Sequence, residues 1–317
     1  AHETLEEAQK ETLMILSLYK ESMETDLAIP VLSGRKSERE RFAGALETYA
    51  VEGLMSDGKA LQMGTSHNLG QNFSKVFNIR FEDQNQNLQY VWQTSWGVST
   101  RLIGALVMAH GDDSGLKLPP RVAPIQAVIV PISIGKWKEN VLPVAKKIEV
   151  DLKEEGLRIK LDPREEYTPG WKFSEWEMRG IPLRIEIGPK DIEKKQVIAV
   201  RRDTGKKESI SLASLSTRVS ELLDEVQKNM FEQALKFQQE NTHDVRSFAD
   251  FKAVMEQKRG FIRAFWCGSS DCEEKIKEET MATIRVIPLG QDKKNSKGKC
   301  VLCQKAAETI AVFARAY

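Results

Sequence analysis

The sequence predicts a mixed α/β fold, shading into α+β, in three successive regions: residues 1–122, 123–240 and 241–317. Three observations lead there. Leu5, Ala8, Thr12, Leu16, Tyr19 and Met23 recur at helical spacing near the start. After residue 123, short apolar runs such as IQAVIVPI (125–132) alternate with helical stretches, as in layered α/β proteins. All four cysteines, Cys267, Cys272, Cys300 and Cys303, fall in the last region.

The elements follow in order. A helix is expected over about 3–25, opened by Thr4 and Glu7 in a capping box. Gly58 marks a hairpin, and FNIRFED and LQYVWQTSW read as a strand pair. In GTSHNLGQNF (64–73), Thr65, Ser66 and His67 are expected in a turn before a helix, where free amides suit an anion or small polar ligand. An apolar helix over 101–109 is expected to anchor in the core, and LPPRVAP (118–124) reads as a linker. The second region offers helices at 139–155, 170–179 and 212–239, with strands at LRIKLD, PLRIEIG and VIAVRRD. The third offers a helix from Phe248, strands at FIRAFWC and TMATIRVIPL, and the closing segment AVFARAY.

Composition excludes several classes. Net charge is +1 over 317 residues, so nucleic-acid binding needs local patches rather than a global field. No apolar run approaches the ~20 residues that span a bilayer. Residues 1–12 are acidic and polar, unlike a secretory signal. The chain starts at Ala1 and runs straight into a helix, which suggests a fragment, a processed product or a renumbered chain. No Walker A, G-x-G-x-x-G after a strand, H-E-x-x-H or G-x-S-x-G pattern is present.

Four features carry chemistry. Cys267-x4-Cys272 and Cys300-x2-Cys303 suit a closed tetrahedral zinc site, structural rather than catalytic; free or disulfide-linked thiols are the alternative. Between 162 and 206, Trp171, Phe173 and Trp176 accompany Lys172, Arg179, Arg184 and Lys190. That mixture suits stacked bases and held phosphates, or equally core aromatics under a solvated basic face. His67 is either a ligand-binding or a structural histidine. Arg101, at the head of an apolar helix, needs a carboxylate, carbonyls or a ligand anion.

GTSHNLGQNFSKVF, VWQTSWGVSTRLIGALVMAHGDDSGLKLPPRVAPIQ, TPGWKFSEWEMRGIPLRIEIGPKD, RRDTGK, the cysteine spacing and the terminal Tyr317 together resemble prolyl-tRNA synthetase of the archaeal and eukaryote-like type. The likeness runs collinearly over nearly the whole chain. It implies a class II aminoacyl-tRNA synthetase: part of an antiparallel-sheet catalytic domain (1–122), an α/β anticodon-binding domain (123–240) and a small α/β zinc-binding C-terminal domain (241–317). SWGVSTRLIG resembles the third class II motif.

By this resemblance Gln62, Thr65, Ser99 and Arg101 bind ATP, and Gln62 also helps hold magnesium. His67, Phe42, Trp96 and Gly97 form the proline pocket. Phe173, Glu177, Arg184, Lys190 and Lys206 meet the tRNA anticodon, and the four cysteines hold structural zinc. Tyr317 ends the chain with its carboxylate towards the active site. No protein nucleophile is implied.

The implied activity is proline–tRNA ligation: ATP-dependent formation of prolyl-adenylate, then transfer to tRNA(Pro). The implied partners are proline, ATP and tRNA(Pro), with a homodimer in the full-length enzyme, no membrane, and a cytoplasmic or organellar setting. The first two class II motifs and the Thr-x-Glu proline loop are expected before residue 1, so the chain is expected to be a C-terminal part, inactive alone. The alternatives are a non-catalytic tRNA-binding or regulatory module and another class IIa synthetase with the same anticodon fold.

Overall fold

The computed structural model describes residues 1–290 and 297–317. The chain forms two compact units. One comprises Ala1–Thr25, Ile29–Ala105 and Leu235–Tyr317, the other Asp26–Ala28 and Leu106–Ala234. In chain order the main elements are α1 (Leu5–Thr25), β1 (Val31–Arg35), β2 (Glu47–Leu54), β3 (Ala60–Gly70), β4 (Gln93–Gly97) and α2 (Arg101–His110). Then come β5 (Ala127–Pro131), β6 (Ile159–Leu161), α3 (Pro169–Met178), β7 (Leu183–Ile187), β8 (Gln196–Arg201), β9 (Lys207–Ser211) and α4 (Leu215–Glu240). β10 (Thr242–Asp244), β11 (Phe261–Trp266), α5 (Ser270–Thr280), β12 (Thr283–Pro288) and β13 (Thr309–Ala314) follow. The boundary between the units falls within α2 and α4. No helix of the described residues is long and apolar enough to cross a membrane.

The first unit is built on an eight-stranded sheet, ordered β10-β11-β13-β12-β1-β2-β3-β4. Only β10 and β11 pair in parallel; the other neighbours are antiparallel. The sequence reading separates 1–122 from 241–317, yet strands of both share this sheet through the β1–β12 pair, Gly34↔Pro288 and Arg35↔Ile287. Gly34 permits that approach, because a Cβ there would lie 2.4 Å from the Ile287 carbonyl oxygen.

A buried ion cluster ties the same seam. Glu52, fully buried, accepts from Lys36 Nζ at 2.8 Å and from Arg285 Nε and Nη2 at 3.1 and 3.0 Å. Burial pushes the Lys36 ammonium below its ordinary range, against the pull of Glu52.

α1 covers one face of the strands β2, β3 and β4. Glu7 N donates to Thr4 Oγ1 at 3.2 Å, so Thr4 caps the helix, but the Glu7 carboxylate accepts from the Glu3 amide rather than that of Thr4, so only half of the expected capping box forms. Ala8, Thr12, Leu16 and Met23 face inward. Burying Leu16 and Met23 contributes about 1.5–3 kcal/mol each. Ser66 Oγ donates to the Thr12 carbonyl at 2.8 Å, and Asn68 Nδ2 to Gln9 at 2.9 Å, so alternate residues of β3 belong to this face.

The second unit holds a mixed five-stranded sheet, ordered β9-β8-β7-β5-β6. β5 pairs in parallel with β6 and β7, and the remaining pairs are antiparallel. β5 is buried at every residue, as its uninterrupted apolar run predicts for a strand covered on both sides. The helix Leu142–Glu154 and α4 residues Val219 and Leu222 pack with Ile129, Leu183 and Ile185. On the other face Val128 and Val130 meet Trp176 and Ile181. The expected α/β layering and mixed sheet are therefore present.

Several local expectations need correction. Thr65, Ser66 and His67 lie in mid-strand, in β3, not in a turn; Thr65 is paired with both Ala50 and Gly97, so its backbone is committed to the sheet. LQYVWQTSW divides: Leu88–Tyr90 pairs with Arg80–Glu82 in a separate hairpin, and Gln93–Gly97 joins the main sheet. α5 was not expected, because its eleven residues are mostly charged and carry few apolar positions. The helix after Arg101 is not wholly anchored: Ala105 and Leu106 are buried, while Ile103 is 67% and Val107 41% exposed.

Candidate functional site

Three groups of side chains stand out. The first lies on β3. Gln62, Thr65 and His67 are spaced three and two apart, which in a regular strand would split them between faces. The register shift between Val51 and Glu52 adds one residue to β3 there, a bulge at Met63. Gln62 thereby joins Thr65 and His67 on the face opposite α1.

On that face Thr48 of β2 stands directly opposite His67. His67 Nδ1 is 2.9 Å from Thr48 Oγ1, and Nε2 is 3.1 Å from Thr65 Oγ1. The Phe42 amide donates to the same Thr48 oxygen at 3.1 Å. The Phe42 ring lies 5.0 Å from the imidazole and 6.4 Å from Phe73. Burial holds His67 below the ordinary histidine range, which keeps the ring neutral and able to donate through one nitrogen and accept through the other.

Gly97 pairs with Thr65, and a Cβ on it would meet nothing within 4 Å, so the space above it is open. Trp96 pairs with Ser66, so alternation turns it to the other face of β4, where it is 50% exposed. Arg101 is exposed and heads α2. Its Nη1 donates to the Gln62 carbonyl at 3.1 Å, and its amide donates to Ser99 Oγ at 3.3 Å. Of the three partner types the sequence left open, it holds a carbonyl. Gln62, Thr65, Ser99 and Arg101 thus come together through Arg101 and β3. Tyr317, at the chain end, donates its amide to the Ala60 carbonyl at the start of β3, under Lys59 Nζ at 4.6 Å from its ring.

The second group lines a cavity of about 470 Å³ in the other unit, bounded by Glu177, Arg184, Arg202 and Lys207 among others. α3 begins at Thr168, whose hydroxyl accepts from Trp171 N at 3.3 Å, and Pro169 follows. The Arg184 guanidinium lies 4.3 Å over the Phe173 ring, with Nε 3.0 Å from Glu186. Glu177 is half-buried, and its carboxylate has no hydrogen bond or ion pair among the described residues. Lys190 and Lys206 are exposed and do not line the cavity.

The aromatic-basic mixture resolves residue by residue. Trp176 is buried and donates to Asp162 at 2.8 Å. Lys172 is also buried, its Nζ 3.3 Å from the Asp162 carbonyl, so it belongs to the core rather than to a basic face. Trp171 is 44% exposed and stacks on Tyr167 at 3.8 Å. Sequence reasoning missed Thr48, Asp112 and Arg202. The His110-Gly-Asp-Asp113 stretch and the pair Arg201–Arg202 were visible, but nothing local shows that Asp112 and Arg202 meet.

The third group is the cysteines. Cys267 follows β11, Cys272 lies in the first turn of α5, and Cys300 and Cys303 sit in the turn after Gly298–Lys299. All four Sγ atoms lie within 4.8 Å of one another, and Cys267 is 3.7 Å from both Cys272 and Cys303. A tetrahedral site with Zn–S of about 2.3 Å places its sulfurs ~3.8 Å apart, whereas a disulfide needs ~2.05 Å. The thiols therefore fit zinc and are not cross-linked. Gln304 stands where glycine often follows such a pair. It adopts the left-handed conformation at φ 60°, with its amide donating to the Cys300 carbonyl at 3.0 Å. The Lys305 amide draws the Cys303 thiol down to about 7, while burial raises Cys267 and Cys272.

Comparison with known proteins places these sites in context. Residues 126–222 match a family model described as an anticodon binding domain, and residues 248–317 one described as prolyl-tRNA synthetase, C-terminal. The whole chain is 54% identical to a proline–tRNA ligase of Natranaerobius thermophilus. It is 52% identical to proline–tRNA ligase 2 of Clostridioides difficile and 52% to a proline–tRNA ligase of Rubrobacter xylanophilus. In each case the chain spans 65% of the relative's length. With identity above half along its whole length and two matched domains in the expected order, this chain belongs to the prolyl-tRNA synthetase family.

Proposed function

We propose that the chain serves an ATP-dependent proline–tRNA ligase. The observation that supports this most is the shared face of β3, where His67, backed by Thr48 and Phe42, stands in line with Gln62 and the Arg101 it anchors. In this reading the apolar Phe42 ring and the neutral imidazole bound a small pocket for proline. Gly97 contributes open space, while Trp96, expected in the pocket, lies on the other face of β4.

Ser99, Thr65 and Arg101 hold ATP, with Arg101 offsetting phosphate charge while the proline carboxylate attacks the α-phosphorus. The Gln62 amide oxygen would help hold Mg²⁺, which supplies further charge neutralisation beside the phosphates. Pyrophosphate leaves as the proline carboxylate attacks, and prolyl-adenylate then passes its acyl group to the terminal ribose hydroxyl of tRNA(Pro), releasing AMP. In this reading no protein nucleophile enters.

The cavity in the second unit reads the anticodon. A carboxylate such as Glu177 accepts from a guanine's N1–H and N2–H, and Arg184 donates to base acceptors. Phe173 supports Arg184 from below, while Lys190 and Lys206 meet phosphates. The cysteines hold a structural zinc.

The test is proline-dependent ATP–pyrophosphate exchange by the full-length gene product, followed by charging of tRNA(Pro). Exchange stimulated by proline and not by other amino acids is the expected result. A well-folded protein that shows none sinks the ligase reading and leaves a tRNA-binding module.

A further inference from the structure

The end of α3 is held in an unusual way. The last carbonyls of a helix lack partners within it and normally turn to solvent. Here the chain segment 112–118 and Arg202 meet them. Leu116 N donates to the Met178 carbonyl at 2.9 Å and Leu118 N to that of Gly180 at 3.2 Å. Arg202 Nε donates to the Glu177 carbonyl at 3.0 Å.

The same guanidinium grips Asp112 with both remaining nitrogens, at 3.0 and 2.6 Å. Lys117 Nζ closes on Asp112 from another side at 2.8 Å. The Arg202 side chain is 7% exposed and that of Asp112 36%, so the pair is shielded on the arginine side and open to water on the carboxylate side. Asp112 sits well below the usual carboxylate range, chiefly through Arg202, so the pair stays charged at neutral pH. Backbone close approach fixes the segment further, because a Cβ on Gly115 would lie 2.5 Å from the Met178 carbonyl oxygen.

Each of the three guanidinium nitrogens of Arg202 thus has a protein partner, two of its five N–H donors are left over, and Asp112 balances its charge where it lines the cavity. Together with the Gly180 amide at 2.9 Å, Arg202 holds the carbonyl of Glu177, whose carboxylate has no partner among the described residues. We infer that Arg202, clamped by Asp112, is a positioning residue that sets Glu177 to read a guanine base, and is not itself a phosphate contact. The inference rests on the anticodon reading of the cavity. Two-point recognition of a base edge tolerates displacements of only about 0.5 Å, so loosening the Glu177 backbone should cost selectivity before it costs general RNA binding.

The experiment titrates the 317-residue chain with fluorescent RNA stem-loops carrying the two adjacent guanines of a proline anticodon. A second loop carries inosine, which lacks the N2 amino group, in their place. Proteins are the wild type, Arg202→Gln, Asp112→Asn, Glu177→Gln and the Arg202→Gln/Glu177→Gln double variant, each checked by circular dichroism.

The wild type should favour guanine by ~10-fold or more. Arg202→Gln should bring the ratio near one, with an unchanged slope of affinity against salt. Asp112→Asn should lower the ratio in the same direction, and carries the test should Arg202→Gln fold poorly. The double variant should be no worse in ratio than Glu177→Gln, since both act through one carboxylate. A guanine preference retained in Arg202→Gln overturns the inference, as does a salt slope reduced by about one, which would make Arg202 a phosphate contact. A wild-type chain that binds neither loop, or both equally, overturns the anticodon reading itself.

Discussion

His67 and Thr48 face each other across two antiparallel strands, with Nδ1 2.9 Å from Oγ1, and the Phe42 amide closes on the same oxygen. One hydroxyl thus orients the imidazole and anchors the loop that carries Phe42. In the full-length protein, His67→Ala should raise KM for proline by ~10–100-fold, the equivalent of about 1–3 kcal/mol for a buried polar partner left unpaired. Thr48→Val should act in the same direction, and KM for ATP should hardly move. Pyrophosphate exchange at varied proline measures both; an unchanged proline KM in His67→Ala removes the histidine from the pocket.

Four thiols at these separations predict about one zinc per chain in the purified protein, measurable by elemental analysis. Cys300→Ser, at a buried sulfur, should lose the metal and lower the melting temperature, and a strong chelator should do the same to the wild type. Metal-free protein with four reactive thiols and an unchanged melting curve would show that the cluster is held by packing alone.

The Lys36–Glu52–Arg285 cluster predicts a stability effect remote from chemistry. Arg285→Met leaves Glu52 fully buried with Lys36 as its remaining cation. Breaking a buried ion cluster on one side costs about 3–5 kcal/mol. Urea unfolding of the variant should show that loss. A change under ~1 kcal/mol would mean that water or repacking replaces the guanidinium at the β1–β12 seam.

Asp162 predicts acid sensitivity. Burial acts to raise its carboxyl, but hydrogen bonds from Arg164 and Trp176 outweigh that and hold it at about 2, below the usual 3.8. A depressed folded value stabilises the fold above the unfolded value and loses that contribution as pH falls through about 2. Asp162→Asn should therefore flatten the dependence of stability on pH between about 4 and 2, while lowering stability at neutral pH. Chemical unfolding followed across that range measures it; identical slopes in variant and wild type count against the assignment.

How much of this was legible depends on how local the cause is. The cap at Thr4, the buried strand within 125–132 and the helix expected at 170–179 are written in adjacent residues, and each formed close to its expected place. The cysteine pairs were legible because short spacing forces two ligands into one loop. Thr65, Ser66 and His67 suit a turn by their hydroxyls and the glycines nearby; their strand state depends on β2 and β4 pairing on either side. Lys172 looked like a surface cation, and only the packing of α3 shows it buried beside Asp162.

By itself, the sequence determined the mixed α/β class, the strands and helices of the second region, the zinc-type cysteine set and, through resemblance, the family. The tertiary structure decided which residues share a face. The bulge at Met63 brings Gln62 into line with Thr65 and His67, strand alternation turns Trp96 away from them, and Gly34 lets strands from the two ends of the chain meet in one sheet. Those outcomes depend on register and close approach between segments far apart in the chain. Residue type and local spacing cannot encode such contacts one at a time, because each exists only once its partner strand is in place.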